Sequence, residues 1–207
     1  MQDYNYEKDY TPYEILDGKI KYMAPRPNIN HLSSMGNIYR IFANYLKGKK
    51  CRVFADGGYI RLDKIDKIKN ITLPEKNKKD RLIPDTMVVC NPDIINPDGI
   101  YGAPDLVVEV LSPSTMKNDR TIKKDIYELL GVKEYWIVSP QERVIEIYLL
   151  TDGKYILNNT YHQYSEWELE MIADDELIED KTVITEFKTS IFDDLIISVD
   201  DVFDKLI

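Results

Sequence analysis

The sequence predicts a single α/β domain built on a mixed β-sheet with flanking helices. Short apolar runs of strand length recur along the chain, and two longer segments carry the helical spacing of apolar residues. No internal repeat or low-complexity linker divides the 207 residues, so we expect one domain over residues 1–207. The strand-like runs are residues 84–90, 105–111, 134–139 and 143–150, and the helical segments are residues 28–47 and 119–130.

The N-terminal part predicts a hairpin, a long helix and a bent strand. Residues 13–25 alternate loosely around an Asp-Gly turn, which favours a hairpin. A helix is expected to begin with Asn28 or Asn30 as its N-cap and to run to Lys47. Residues 51–63 then predict a strand with a bulge or bend at two consecutive glycines. The predicted buried stripe of the helix is Leu32, Met35, Tyr39, Phe42 and Leu46.

The C-terminal half predicts a second helix, further strands and an acidic tail. The helix spans residues 119–130 and closes at Gly131, a residue type that favours the left-handed C-cap conformation. The next two strand runs are joined by a turn at SPQE, and residues 154–164 extend the sheet. A short helix is expected near Val199. The predicted buried stripe of the second helix is Ile122, Ile126, Leu129 and Leu130.

The charge of the chain limits the ways in which it can meet nucleic acid. A net charge of -9 argues against a protein that coats nucleic acid indiscriminately. The charge is uneven, because residues 47–81 hold twelve basic against five acidic side chains, whereas residues 166–207 hold fourteen acids against three lysines. The lysine-rich part, residues 64–81, is expected to be mobile, and it fits a phosphate-binding loop and a solvated insertion equally well.

The sequence also bears on membranes and redox chemistry. No apolar stretch approaches the roughly 18–20 residues of a membrane span, and residues 1–10 do not resemble a signal peptide. Cys51 and Cys90 are too few for a disulfide framework or a zinc cluster, so we expect two buried thiols. These observations predict a protein of the reducing cytoplasm with no membrane partner.

Two acidic residues in apolar surroundings predict a metal site. Glu109 lies inside an apolar strand run, where an ionised carboxylate needs a partner, and Asp85 opens another such run. Asp105 competes with Asp85, but residues four apart along one strand are about 13 Å apart, too far for Asp105 and Glu109 to share a metal directly. If the two runs pair antiparallel around a loop at 91–103, position 85 lies beside 109. Two such carboxylates suit Mg²⁺, which takes one or two acids from a protein and keeps several waters.

Basic residues on the second helix are candidates to assist the acids. A lysine near a metal site can orient the attacking water or stabilise the transition state. Lys123 borders the predicted buried stripe and is expected to point toward the acids, whereas Lys124 is expected to pair with Glu128 on the wetter side. Lys117 and Arg120 would add positive charge for a phosphate backbone.

Residues 102–138 carry a pattern that resembles a known family. The run GAPDLVVEVLSPST is followed by Asp-Arg, by Lys123, by Tyr127 and then by GV and EYWIV. This pattern resembles the Uma-two family of restriction endonucleases, a branch of the PD-(D/E)xK nuclease superfamily, and it implies a restriction-endonuclease-like α/β core. The resemblance covers nearly the whole chain. It extends to DGKIKYMAPRPNINH, RVFADGGYIRLD, IPDTMVVC and SIFDDLIISVDDVF.

The resemblance implies specific roles for the site residues. Asp85 and Glu109 match the two acids of the motif and would hold Mg²⁺ or Mn²⁺, with the main-chain carbonyl of Val110 as the third protein ligand. The lysine usual in the superfamily would stand at position 111, but this chain has Leu111 there. In this family the lysine is displaced to the following helix, which here implies Lys123.

Two further residues are candidate substrate contacts. His31 matches the histidine that opens the first long helix of the family, and Arg120 lies on the helix that carries the displaced lysine. Many members of the superfamily place a glutamate on the first helix. Residues 28–48 contain none, which argues against a second metal site.

We therefore expect a metal-dependent endonuclease that hydrolyses phosphodiester bonds by water attack, with DNA as the substrate implied by the resemblance. The alternative is a non-catalytic, nuclease-like interaction module, in which Glu109 pairs structurally with Lys123 or Arg120. Its support is the net charge, the displaced lysine and the missing helix glutamate. A hydrolase acting on RNA or nucleotides is a third and weaker alternative. The sequence leaves the oligomeric state open, with a homodimer as one candidate.

Overall fold

A six-stranded mixed sheet forms the centre of the structure, in agreement with the predicted fold class. The structure is a computed structural model that describes residues 13–16, 19–22, 28–65, 81–175, 177 and 180–207. In chain order the strands are β1 (Tyr13–Leu16), β2 (Lys19–Tyr22), β3 (Arg52–Ala55), β4 (Ile60–Arg61), β5 (Arg81–Leu82), β6 (Thr86–Val89), β7 (Ile95–Asn96), β8 (Gly99–Ile100), β9 (Leu106–Val110), β10 (Glu134–Ser139), β11 (Val144–Thr151), β12 (Lys154–His162), β13 (Glu186–Lys188) and β14 (Ile196–Ser198).

The helices are placed between these strands much as the sequence predicts. They are α1 (Ile29–Leu46), α2 (Met116–Asn118), α3 (Lys124–Leu130), α4 (Glu166–Asp174) and α5 (Val199–Val202), with a π-helical turn at Asp119–Lys123 and 3₁₀ turns at Leu62–Lys64 and Pro92–Ile94. Among the helices in these ranges, none has both the length and the apolar character needed to cross a membrane.

The central sheet has the order β12-β11-β10-β9-β6-β3. Only β9 and β10 run parallel in it, and the continuous helical segment 116–130 provides the crossover that a parallel pair needs. β6 and β9 pair antiparallel with Thr86 beside Val108 and Val88 beside Leu106. This register is the predicted one, because continuing it by one pair places position 85 beside position 109.

Each face of the sheet packs on its own apolar cluster. On one face, α1 and the C-terminal segment cover Leu106, Val108 and Val110 of β9. On the other face, the helical segment 116–130 and the short strands β4, β5, β7 and β8 cover Val107 and Leu111. The sheet is therefore buried on both sides, which explains why its central strands are almost continuously apolar.

Helix α1 begins as predicted but turns a different stripe inward. The Asn28 side chain caps the helix by accepting a hydrogen bond from the His31 N–H at 2.8 Å. The predicted residues Leu32 and Tyr39 are about two-fifths exposed, whereas Phe42 and Leu46 are buried as expected. The buried line of α1 is His31, Ser34, Ile38, Phe42 and Leu46. The prediction was partly wrong because two polar residues face the core, and apolar spacing does not count them.

The second helical segment also differs from its prediction. It begins at Met116, three residues before the expected start, and ends at Gly131, whose φ of 89° is the expected left-handed cap. The predicted stripe was only partly right, since Leu130 is buried but Leu129 is 44% exposed and Ile122 and Ile126 are only partly buried. The residues that face the sheet are Asp119, Lys123, Tyr127 and Leu130. Polar groups take this face because they bind a buried carboxylate of β9, as described below.

Several smaller predictions have mixed outcomes. β1 and β2 form the predicted antiparallel pair, and the predicted bend separates β3 from β4, with Gly57 at a φ of 93°. The prediction of two buried thiols was wrong. Cys51 and Cys90 lie opposite each other beyond the ends of β3 and β6, and they form a disulfide. The lysine-rich segment expected to be mobile lies outside the described residues over 66–80.

A buried glutamate fixes the C-terminal segment to the sheet. Glu134, at the start of β10, is fully buried, and burial raises the pKa of its carboxyl group. Its carboxylate accepts hydrogen bonds of 2.6 Å from the Trp136 indole N–H and from both the N–H and the hydroxyl of Ser190. Ser190 lies between β13 and β14, so these bonds tie the last strands to the centre of the molecule.

Replacing Glu134 by glutamine is expected to lower the free energy of unfolding by about 1–3 kcal/mol, because the new amide NH₂ would face groups that already donate. Urea denaturation at neutral pH measures this change. The matched control is Glu142→Gln on the exposed turn, which is expected to leave stability unaltered. Equal stability of the two variants would show that the Glu134 hydrogen bonds contribute nothing to the fold.

Candidate active site

Asp85 and Glu109 face the same side of the central sheet. Side chains alternate between the two faces of a strand, so positions 85, 87 and 89 of one strand share a face, as do 107, 109 and 111 of its neighbour. Met87 and Val107 pack in one apolar cluster, which fixes that face for both strands. The two acids therefore lie on one face, in the register that places them side by side.

Asp85 bridges the sheet and helix α1. One carboxylate oxygen accepts a hydrogen bond from the Val110 N–H at 2.7 Å, and the other lies 3.3 Å from His31 Nε2. His31 is 7% exposed and comes from the first turn of α1. The structure thus places two of the predicted site residues in direct contact, and Asp85 is held from two directions.

The carbonyl of Val110 points to the same region as Asp85. The Leu111 N–H donates to Val138 on β10, so the main-chain groups of the preceding residue point the other way, toward β6. In the β6–β9 register, the residue opposite Val110 is Pro84. Because proline has no N–H, it cannot donate to this carbonyl. A carbonyl oxygen directed at the end of β6 is the kind of ligand that the sequence predicts.

Glu109 lies in a buried network of charged and phenolic groups. The Lys123 ammonium is 2.8 Å from Glu109 Oε1, and the Tyr127 hydroxyl donates to the same oxygen at 2.6 Å. Lys123 also lies 3.4 Å from Asp119 Oδ1. Glu109 and Asp119 are each 1% exposed and Lys123 is 4% exposed. The prediction that Lys123 turns inward is confirmed, and the ion pair accounts for a carboxylate inside an apolar strand.

The other basic residues of the helical segment lie outside this network. Lys124 is not paired with Glu128 on a solvated surface as expected, because its ammonium lies 3.6 Å from the centre of the Tyr148 ring and partial burial lowers its pKa. Arg120 binds both carboxylate oxygens of Glu146 at 2.8 and 2.9 Å. The structure therefore places Arg120 in a surface ion pair and does not bring it to the acids.

Asp105, the rival of Asp85, occupies a different place. Its carboxylate accepts from the Cys90 N–H at 2.8 Å and from Lys133 Nζ at 2.8 Å. Both contacts lie at the opposite end of β9 from Glu109. Asp105 therefore lies away from Glu109 and is bound to Lys133 and the Cys90 N–H.

Three residues of the network were missed in the sequence. Asp119, Tyr127 and Tyr135 all contact it, and the Tyr135 hydroxyl donates to the Asp119 carbonyl at 2.9 Å. The sequence does contain a signal for this polar stripe. Positions 119, 123 and 127 are spaced by four and carry an acid, a base and a phenol. Apolar spacing directed attention to Ile122 and Ile126 and so concealed this stripe.

The donor set fits a hard divalent cation. Asp85, Glu109 and the Val110 carbonyl offer oxygen ligands, and Mg²⁺ commonly takes only one or two carboxylates from a protein. Within the described residues, no group of three or more histidine, cysteine or acidic side chains is arranged as a metal site. A cation held by Asp85, Glu109 and the Val110 carbonyl would keep several waters as its remaining ligands.

Comparison with known proteins shows the family to which the chain belongs. A family model named Uma2 and described as "Putative restriction endonuclease" matches residues 2–178. This chain belongs to the Uma2 family. It is 28% identical over 169 residues to the uncharacterized protein slr1290 of Synechocystis, and the match covers 81% of each chain. The resemblance drawn from residues 102–138 is confirmed.

A solved structure shares the fold. The crystal structure of a "putative nuclease" belonging to DUF820 from Anabaena variabilis matches with a TM-score of 0.62 and 17% identity, covering 92% of this chain and 89% of that one. At this identity the match concerns the fold alone. The Uma2 family match supports a nuclease function for the chain.

The environment of His31 predicts an unusual titration. Burial disfavours the charged imidazole, but the hydrogen bond and negative charge of Asp85, with the charge of Asp119, outweigh it and raise the pKa of His31 above its usual 6.5. The stabilisation from charged His31 is thus fully present below about pH 6.5 and is lost as the pH rises through the elevated value.

Proton NMR can follow this titration, because the chain has only two histidines. The His31 resonance is expected to titrate above pH 6.5 in the parent protein and at a lower pH in Asp85→Asn. A His31 pKa that is identical in both proteins would show that Asp85 does not hold the imidazole.

Proposed function

We propose that this Uma2 protein is a metal-dependent endonuclease that hydrolyses phosphodiester bonds in DNA. The observation that carries the proposal is the Lys123 ammonium 2.8 Å from the buried Glu109, on a strand whose register with β6, continued by one pair, brings Asp85 beside Glu109. Two acids and a lysine at adjacent strand ends suit phosphodiester hydrolysis, because that reaction needs a bound cation and a positioned water.

Each residue has a distinct part in this proposal. Asp85, Glu109 and the Val110 carbonyl would hold Mg²⁺ or Mn²⁺. The bound cation supplies a more acidic water and neutralises negative charge on the phosphate. Lys123 orients that water or stabilises charge that develops on the phosphate oxygens. His31 contacts Asp85 at 3.3 Å and is the proposed secondary contact for the substrate.

A depression farther along the same sheet face, lined by neither acid, is the place proposed for a nucleic-acid strand. It has a volume of about 530 Å³ and is lined by Met87, which lies two residues after Asp85 and therefore about 7 Å along the same sheet face. Tyr59, Arg61 and Arg81 also line it, and the Arg81 guanidinium carbon lies 4.6 Å from the centre of the Tyr59 ring. Aromatic rings and cationic groups together suit the bases and phosphates of a nucleic-acid strand.

The acidic C-terminal segment does not oppose this placement. Its buried residues Phe187, Ile197 and Phe203 pack in the apolar cluster on the face that α1 covers. The face that carries Asp85 and Glu109 is instead covered by the helical segment 116–130, where Lys117 is exposed. The acids of the C-terminal segment therefore lie mainly on elements that pack on the other side of the sheet, while its last residue, Ile207, hydrogen-bonds Asn30 next to His31.

The alternative is a non-catalytic interaction module with a nuclease-like fold. The observation in its favour is that Lys123 and Tyr127 already satisfy Glu109 without any metal. In that case the ion pair has a purely structural role, and the acidic surface would bind another protein. Cation binding separates the two functions, because an interaction module does not need a cation at Asp85 and Glu109.

Cleavage assays on plasmid and single-stranded DNA test the proposal directly. The parent protein is expected to cleave in the presence of Mg²⁺ or Mn²⁺, and Glu109→Ala is expected to abolish cleavage because the cation loses a ligand. Lys123→Ala should reduce the rate by about 10²-fold or more, the usual cost of removing a group that stabilises a transition state.

Lys124→Ala is the matched control for the lysine, since Lys124 is adjacent in sequence but lies over Tyr148. It is expected to retain nearly full activity. Equal rates for the two lysine variants would contradict the role of Lys123. Cleavage that persists in Glu109→Ala, or that needs no divalent cation, would contradict the metal site.

A further inference from the structure

We propose that Asp119 is a positioning residue for Lys123, which it holds when the Glu109 carboxylate binds a divalent cation. The inference rests on the proposed metal site and extends it, because nothing in the two-acid motif requires a third acid. Asp119 has no place in that motif, yet it lies 3.4 Å from the Lys123 ammonium in the buried centre of the network.

The geometry allows Lys123 to exchange partners without leaving the site. Its ammonium lies between Glu109 Oε1 at 2.8 Å and Asp119 Oδ1 at 3.4 Å. Movement of a few tenths of an ångström toward Asp119 would equalise these two distances. All three side chains are buried, so the exchange occurs without exposing the ammonium to solvent.

The proposed role of Asp119 is electrostatic, because its carboxylate is a second counter-ion for the Lys123 ammonium. A Lys123 ammonium on Glu109 Oε1 repels a divalent cation on the same carboxylate, so the cation binds more weakly while this ion pair is kept. A buried ammonium that loses its counter-ion is strongly destabilised. Asp119 supplies a second counter-ion next to the first, so Lys123 can release Glu109 and still remain near it. Lys123 therefore opposes cation binding and Asp119 favours it.

The local backbone supports this role. Asp119 and Lys123 are the first and last residues of the π-helical turn, and π-helical turns in helices are frequent at functional sites. The Tyr135 hydroxyl anchors this turn through the Asp119 carbonyl at 2.9 Å. On the opposite side, Tyr127 donates to Glu109 Oε1 and keeps that carboxylate in place. The Glu109 carboxylate and the backbone at Asp119 are thus held in place, and the proposal assigns the movement to the Lys123 side chain.

A double-mutant cycle on Mn²⁺ affinity tests the inference on the full chain. Isothermal titration calorimetry would measure Mn²⁺ binding to the parent, to K123M, to D119N and to the double variant. K123M is expected to bind Mn²⁺ about fivefold more tightly or better, because the competing ammonium is gone, and D119N about fivefold more weakly, at the low end of coupling between binding events.

The double variant distinguishes a positioning residue from a direct ligand. If Asp119 acts through Lys123, the penalty of D119N shrinks by about threefold or more in the K123M background, since no ammonium remains to be held. A penalty of equal size in both backgrounds would mean that Asp119 acts on the cation itself, and the inference would be wrong. D119E, which keeps the charge, is expected to restore binding, and D125N on the exposed side of α3 is the neutral control.

Failure of this inference can be told apart from failure of the proposed function. If the parent protein binds no Mn²⁺ and cleaves no DNA, both are overturned. If the parent binds Mn²⁺ and E109Q removes that binding, but K123M does not tighten it, only the role of Asp119 and Lys123 is overturned. The K123M result also decides the question if D119N does not fold, which circular dichroism would show.

Discussion

The buried ion pair between Lys123 and Glu109 is the interaction on which the rest of the site depends. A carboxylate at 1% exposure inside an apolar strand is tolerated only with a partner of opposite charge and further hydrogen bonds. Lys123 supplies the charge and Tyr127 a hydrogen bond, so the helical segment must present a polar stripe to the sheet. The same requirement explains why Ile122 and Ile126, which sequence spacing places inside, are only partly buried.

The sheet contributes the second half of the site through its register. The antiparallel pairing of β6 and β9 brings Asp85 to the side of Glu109, and the parallel pairing of β9 and β10 turns the main-chain groups of Val110 toward β6. Because position 84 is a proline, the neighbouring strand offers no N–H to the Val110 carbonyl at that position. Under the proposed function, this strand geometry would supply hard oxygen ligands, and His31 on α1 contacts Asp85 from the other layer.

The sequence predicted the parts of this structure that depend on local patterns. The apolar runs and the length of the loop between them predicted a register with Asp85 beside Glu109. The position of Lys123 next to an apolar stripe predicted that its side chain points inward. The sequence analysis missed buried polar groups whose hydrogen-bond or disulfide partners lie far away in the chain. Glu134 bonds Ser190 across 56 residues, Tyr127 bonds Glu109 across 18, and the Cys51–Cys90 disulfide joins strands 39 residues apart. Apolar periodicity carries no information about such pairs.

Anomalous diffraction from crystals soaked in Mn²⁺ tests the central claim most directly, because it locates the cation without relying on activity. The account predicts a single strong Mn²⁺ peak within ligand distance of Asp85, Glu109 and the Val110 carbonyl, at about 2.0–2.3 Å from each oxygen, as expected for a small hard cation. The absence of a peak at these residues at saturating Mn²⁺, with Lys123 still bound to Glu109, would contradict it. The buried network would then be a structural ion pair and not a metal centre.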